Sequence, residues 1–183
     1  MIMQDEAALN RPQAARPASR PDLLTLRDGR RVRVRPVRAH DAPAEQAFVV
    51  ALSPLARYRR FHLGLSELPA GLLRSFTEVD QSAHVALVAE AGDTIVADAR
   101  YVRDSTGRTG EFAIAVADAW QGSGLGRALL QRLLASARRA GLERLCGAVL
   151  ADNEPMLAVM RRLGARLAAD PEDPALFRAC LAL

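Results

Sequence analysis

One junction constrains this chain more than any other. Residues 111–130, EFAIAVADAWQGSGLGRALL, carry a strand pattern straight into Gln121-Gly122-Ser123-Gly124-Leu125-Gly126, which opens a long helix. Glycines at such a junction let the backbone approach a ligand and permit positive φ in the turn. The helix start presents unpaired N–H groups and a partial positive charge, which together suit a pyrophosphate. A Walker loop is excluded, because it ends in Gly-Lys-Ser/Thr and all 25 basic residues here are arginine. The dinucleotide fingerprint GxGxxG also fails: with Gly122 and Gly124 as its first glycines, Arg127 takes the third position. A glycine-rich helix start that binds nothing is the bland alternative.

The patterns on either side give the fold class. Residues 31–37 alternate Arg with Val or Pro, a strand with Val32 and Val34 on one face that Pro36 either makes an edge or ends. Asp41 is placed to cap a helix over 42–52, and prolines open two short helices over 54–63 and 69–77. Strands over 83–91 and 94–102 flank the turn Gly92-Asp93 as an antiparallel hairpin, and a strand over 111–116 follows the next turn. Leu125, Leu129, Leu133 and Ala137 repeat at helical spacing up to Gly141, a C-terminal cap. A strand over 144–150, a helix over 154–163 between Asn153 and Gly164, and a strand over 176–181 complete the chain. The expected fold is α+β: a mixed, mostly antiparallel central sheet flanked by helices, meander first and βαβ unit second.

Length and composition bound the rest. The 183 residues suit one ordered domain, over 23–183; residues 1–22, rich in Arg, Pro, Ala and Gln without periodicity, read as a flexible tail. The longest apolar runs, 47–52 and 112–117, have six residues, far short of the roughly 20 of a membrane span. With no secretory signal either, a cytoplasmic location and no membrane partner are expected. A net charge of +4 attracts anions without identifying them, so no specific nucleic-acid partner is inferred. The absence of lysine fits a GC-rich genome, and equally a protein that handles acyl donors and carries no side-chain amine to modify. Cys146 and Cys180 stand apart, outside any CxxC or Cys/His cluster, so neither a disulfide framework nor a metal site is expected, in keeping with a reducing compartment.

Gln121, Gly124 and Gly126 also meet the Q/R-x-x-G-x-G/A pattern, and here the chain resembles the GNAT superfamily of acetyltransferases. Val34-Arg35-Pro36 with Asp41 resembles that superfamily's first strand. Residues 145–164, LCGAVLADNEPMLAVMRRLG, resemble its second cofactor-side motif. Leu52-Ser53-Pro54, Arg57-Tyr58-Arg59-Arg60-Phe61, Val79-Asp80 and residues 86–89 are similar to the acetyltransferase domain of bacterial protein-lysine acetyltransferases, the likeness covering roughly residues 30–168. The resemblance implies acetyl-CoA as acyl donor and no metal. It implies that the main chain of Ile114, Ala115 and Val116 binds the pantetheine arm as an added strand would. Amides of Gln121, Gly122, Ser123, Gly124, Leu125, Gly126, Arg127 and Ala128 would cradle the pyrophosphate, with Asn153 and Met156 on the pantetheine side.

A lysine amine, with a reference pKa of about 10.4, needs about 4.6 kcal/mol to reach its nucleophilic form at pH 7, so a base is worth having. Glu111 stands where a glutamate serves as general base in the protein-acetylating branch, and strand alternation sets it beside the small Ala113 and Ala115. Its bland reading is a strand-end carboxylate paired with arginine. Where many members carry a tyrosine acid for the departing thiolate, this chain has Met160. His40, His62 and His84 read as surface or packed histidines, Cys146 as a small buried residue, Trp120 as packing, and Arg57, Arg59 and Arg60 as a solvated helix face. The expected function is direct acetyl transfer from acetyl-CoA to an amine, above all a protein lysine, by a monomer or homodimer. The rivals are a small-molecule amine acetyltransferase and a catalytically silent acyl-CoA-binding module.

Overall fold

The computed structural model describes residues 22–183. The tail expected over 1–22 lies outside the described residues, except Asp22, which opens the first strand. The strands are β1 (Asp22–Thr25), β2 (Arg31–Pro36), β3 (His84–Ala91), β4 (Thr94–Arg103), β5 (Thr109–Val116), β6 (Arg144–Leu150), β7 (Arg166–Ala169) and β8 (Leu176–Ala182). The helices are α1 (Ala42–Ala51), α2 (Pro54–Phe61), α3 (Ala70–Thr77), α4 (Leu125–Arg139) and α5 (Glu154–Arg162). One sheet joins all eight strands in the order β1-β2-β3-β4-β5-β6-β8-β7, antiparallel throughout except for β5 against β6. The α+β expectation therefore holds. Pro36 ends β2 rather than leaving it at an edge, since β1 pairs along its outer side. Neither β1 nor β7 was expected; four residues each carry too little alternation to show as strands.

The sheet buries its two faces differently. On one side α4 and α5 cover a core in which Leu125, Leu129, Leu133 and Ala137 are fully buried, together with Leu130, Leu145, Leu157 and Met160. Each such leucine contributes on the order of 1.5–3 kcal/mol. On the other side α1, α2 and α3 pack over β3–β5 through Phe48, Val49, Phe76, Val88 and Ala115. Beyond β5 that second face carries no helix among the described residues, and Arg144, Ala148, Arg166, Ala168, Arg178 and Ala182 are exposed there.

Under α1 lies a cluster of charges. Arg100 donates to both Asp98 oxygens and to the Phe76 carbonyl, its guanidinium 3.6 Å from the centre of the Phe76 ring. Arg60 sits 3.8 Å from Asp98 and stacks on Phe61 and Phe76, so the arginine run of α2 is not a solvated face. Glu45, fully buried, reaches only to 3.6 Å from Arg100. Loss of hydration and the neighbouring Asp98 carboxylate raise its pKa from 4.5 to about 8.

The cysteine expectation is overturned. The β6–β8 register sets Cys146 directly opposite Cys180, and the two form a disulfide with Cα atoms 4.1 Å apart. A separation of 34 residues concealed what is a cross-strand neighbour relation, and the cysteine argument for a reducing compartment falls with it. Because the crosslink closes that loop in the unfolded chain, Cys146→Ser/Cys180→Ser is expected to lower stability by up to about 4 kcal/mol, as urea unfolding with and without reductant would show. A second prediction concerns Glu45. A folded pKa above the unfolded one means that the native state holds the extra proton between pH 4.5 and about 8, so stability falls as pH rises through that window. Glu45→Gln removes the titration, and its stability relative to wild type is expected to rise by up to about 1.4 kcal/mol per pH unit across it in pH-dependent unfolding curves.

Candidate active site

The parallel pair β5–β6 holds for only three residues, Thr109–Glu111 against Arg144–Cys146. At the next step Gly147 meets Phe112 so closely that a Cβ on Gly147 would lie 2.8 Å from the Phe112 ring and carbonyl oxygen. Past that contact the strands part, and their unpaired edges frame a cleft of about 620 Å³. Glu111, Ile114, Ala115 and Val116 line one wall; Ala148, Val149, Asn153, Met156 and Val159 line the other. Gln121, Gly122, Gly124, Gly126 and Arg127 close one end, while Arg59, Arg60, Phe61 and His62 approach from α2.

The glycine loop has the geometry its residues require. Gly124 takes φ +91° as the residue before α4, a conformation that side-chain-bearing residues rarely adopt. The first helical bond runs from Ala128 N–H to the Gly124 carbonyl, so the Ala128 amide is already paired; the preceding amides of Gly126 and Arg127 carry no such bond. Ser123 and Leu125 do not line the cleft: the Ser123 hydroxyl donates to the Trp120 carbonyl, and Leu125 is fully buried in the core. Of the eight residues expected to cradle a pyrophosphate, Gln121, Gly122, Gly124, Gly126 and Arg127 border this cleft. At the far side Asn153 caps α5, its side-chain oxygen accepting from Met156 N–H at 3.4 Å, and both residues border the cleft. An anionic, elongated ligand fits this lining, in which the Nε atoms of Arg59 and Arg127 are buried without partners.

Several lining residues escaped the sequence reading. The turn between β1 and β2 folds back on the glycine loop: Arg27 N–H faces the Ser123 carbonyl, and the Arg27 side chain passes over Gly124 into the cleft. Arg30 donates to the Ala119 carbonyl at 3.0 Å and lies 4.1 Å over Trp120, which borders the cleft besides packing. Arg59 reaches the Asp152 carbonyl at 3.4 Å, bridging α2 to the start of α5. His62 also lines the cleft; burial, and then the charge of Arg60, hold its pKa below the usual 6.5 and keep it neutral at pH 7. No local pattern marks these contacts, because each joins segments far apart in sequence. Among the described residues no group of His, Cys, Asp or Glu has the arrangement of a metal site.

Glu111 is exposed at the row where the strands part, and among the described residues its carboxylate makes neither hydrogen bond nor ion pair, so the alternative role as an arginine partner is not seen. The acetyltransferase (GNAT) family model matches residues 53–165. This chain belongs to the GNAT family. An acetyltransferase of Pseudomonas aeruginosa is 35% identical over 153 residues, covering 81% of this chain and 82% of that protein. The acetyltransferase Pat of Mycolicibacterium smegmatis is 35% identical over 148 residues, but the chain spans only 44% of its length. The solved GNAT domain of S. lividans PAT superimposes with a TM-score of 0.83 at 31% identity, covering 89% of this chain and 97% of that domain. The protein is thus an acyl-CoA-dependent N-acetyltransferase, and acetyl-CoA is the donor its family uses. An arginine over the glycine turn can strengthen the binding of an anionic donor through charge-assisted hydrogen bonds. Arg27→Ala is expected to raise the acetyl-CoA dissociation constant of this GNAT protein about tenfold in calorimetry, with the thermal midpoint little changed.

Proposed function

We propose that this acetyltransferase moves the acetyl group of acetyl-CoA to a lysine side chain of a protein, by direct attack in a ternary complex with Glu111 as general base. One observation carries the reading: an unpaired carboxylate stands at the mouth of the cleft, in the row where β5 and β6 separate. Its neighbours on that face, Ala113 and Ala115, leave room for a slender chain to pass. Glu111 takes a proton from the lysine ammonium, and the freed nitrogen lone pair attacks the thioester carbonyl carbon. The resulting tetrahedral adduct expels the thiolate of coenzyme A, and the second proton left on the nitrogen passes to that thiolate or to water, leaving the neutral amide and free coenzyme A. A thiol pKa near 8.5 makes that departure easy without an acid, which accords with Met160, fully buried in the core, at the position where related enzymes carry tyrosine. Direct transfer is favoured over a covalent enzyme intermediate because both cysteines are tied in the disulfide and, among the described residues, no serine lines the cleft.

The likeness of residues 52–61 and 79–89 to bacterial protein-lysine acetyltransferases, with the close superposition on the S. lividans PAT domain, supports a protein acceptor over a small amine. Glu111→Gln is expected to lower kcat by about 10²–10⁴ with lysine substrates while leaving acetyl-CoA affinity unchanged, measured as thiol release and by calorimetry. Turnover that survives the substitution at neutral pH removes the assignment.

A further inference from the structure

The part of the sheet that no described helix covers lies beside Glu111, and one row of its register runs from Glu111 to the far edge. A single row crosses five strands: Val102 on β4 pairs with Glu111, Glu111 with Cys146, Cys146 with Cys180, and Cys180 with Arg166 on β7. Paired residues project to the same face, so this row and its alternate neighbours form one surface. Arg144 is two residues from Cys146 on β6, and Arg178 is two residues from Cys180 on β8. All three arginines are exposed, and the open face of β6, β8 and β7 bears no carboxylate of its own. Asp170, just past β7, sits 3.5 Å from Arg178; among the described residues Arg144 and Arg166 form no ion pair. The remaining residues of the patch, Ala148, Ala168, Ala182 and the half-exposed Val102, are small or apolar and leave the surface flat.

We propose that this face is the docking surface for the protein substrate, and that it selects lysines flanked by aspartate or glutamate. The proposal rests on the protein-lysine reading above and specifies the surroundings of that lysine. Strands lie about 4.8 Å apart and rise about 3.3 Å per residue, so the arginine Cα atoms stand roughly 8, 12 and 14 Å from that of Glu111. Side chains about two to four residues from a lysine in an extended segment fall at those distances. Guanidinium groups match carboxylates through paired hydrogen bonds, which gives an acidic segment a defined orientation as well as attraction. A small amine held at Glu111 does not extend to any of them. The Cys146–Cys180 crosslink joins the two central strands of the patch, fixing the arginine-bearing strands relative to the base.

The test uses the whole chain, acetyl-CoA and three acceptors: a short lysine peptide with aspartates on both sides, the same peptide with asparagines, and a free alkylamine. At low ionic strength kcat/KM for the aspartate peptide is expected to exceed that for the asparagine peptide by about tenfold, with the difference shrinking as salt is added. Arg144→Gln/Arg166→Gln is expected to abolish the preference, and Arg144→Glu/Arg166→Glu to reverse it. Acetyl-CoA affinity, which these exposed residues do not touch, reports that each variant is folded. Equal use of both peptides, or a preference that survives the replacements, overturns the docking surface and leaves the lysine reading standing. Acetylation of the alkylamine with neither peptide modified overturns both.

Discussion

The parting of β5 from β6 governs everything else in this protein. A parallel pair that continued along both strands would satisfy its main chain internally and leave no cleft. Phe112 fills the space where Gly147 has no side chain, and that contact ends the pairing after three residues. The same step places Glu111 on the last paired row and the free edge of β5 immediately beyond it. The glycine loop then turns the chain so that the start of α4 faces the gap. The Glu111 carboxylate, the free main-chain edge and the glycine turn thus follow one another along about fifteen residues, which fixes their mutual placement.

The two faces of the sheet divide the work. Apolar packing under α4 and α5 fixes the cleft wall that carries Val149, Met156 and Val159. On the other side the charges buried under α1 hold α2 in place, since Arg60 is anchored to Asp98 and the phenylalanines while its neighbour Arg59 spans the cleft. A buried carboxylate such as Glu45, largely protonated at neutral pH, is a weak source of stability; Arg100 beside it is oriented by Asp98 and the Phe76 carbonyl.

How much was legible in the sequence follows from how local each signal was. The glycine loop, α4 with its leucines, and the strand that begins at Glu111 were readable because chemistry and periodicity sit in adjacent residues. The Arg27 turn, the Arg59 bridge and the lining role of His62 were not, because each depends on the packing of segments far apart in the chain. The disulfide was missed for a sharper reason: spacing says nothing about which residues face each other across strands, and β7, whose insertion defines that end of the sheet, is too short to show. Arg60 was misread because a charged run on a short helix gives no hint of the aspartate on β4 that buries it.

An incomplete sheet has a further consequence. The free margins of β5 and β6 form an edge in the middle of the domain, the kind of surface that invites foreign strands. Any molecule that runs along it and bonds to its amides closes the sheet, and by mass action adds to the folding free energy in proportion to the logarithm of its concentration. Occupancy of that margin therefore adds to how long the fold resists aggregation and proteolysis, so a ligand seated there protects the domain besides taking part in its chemistry.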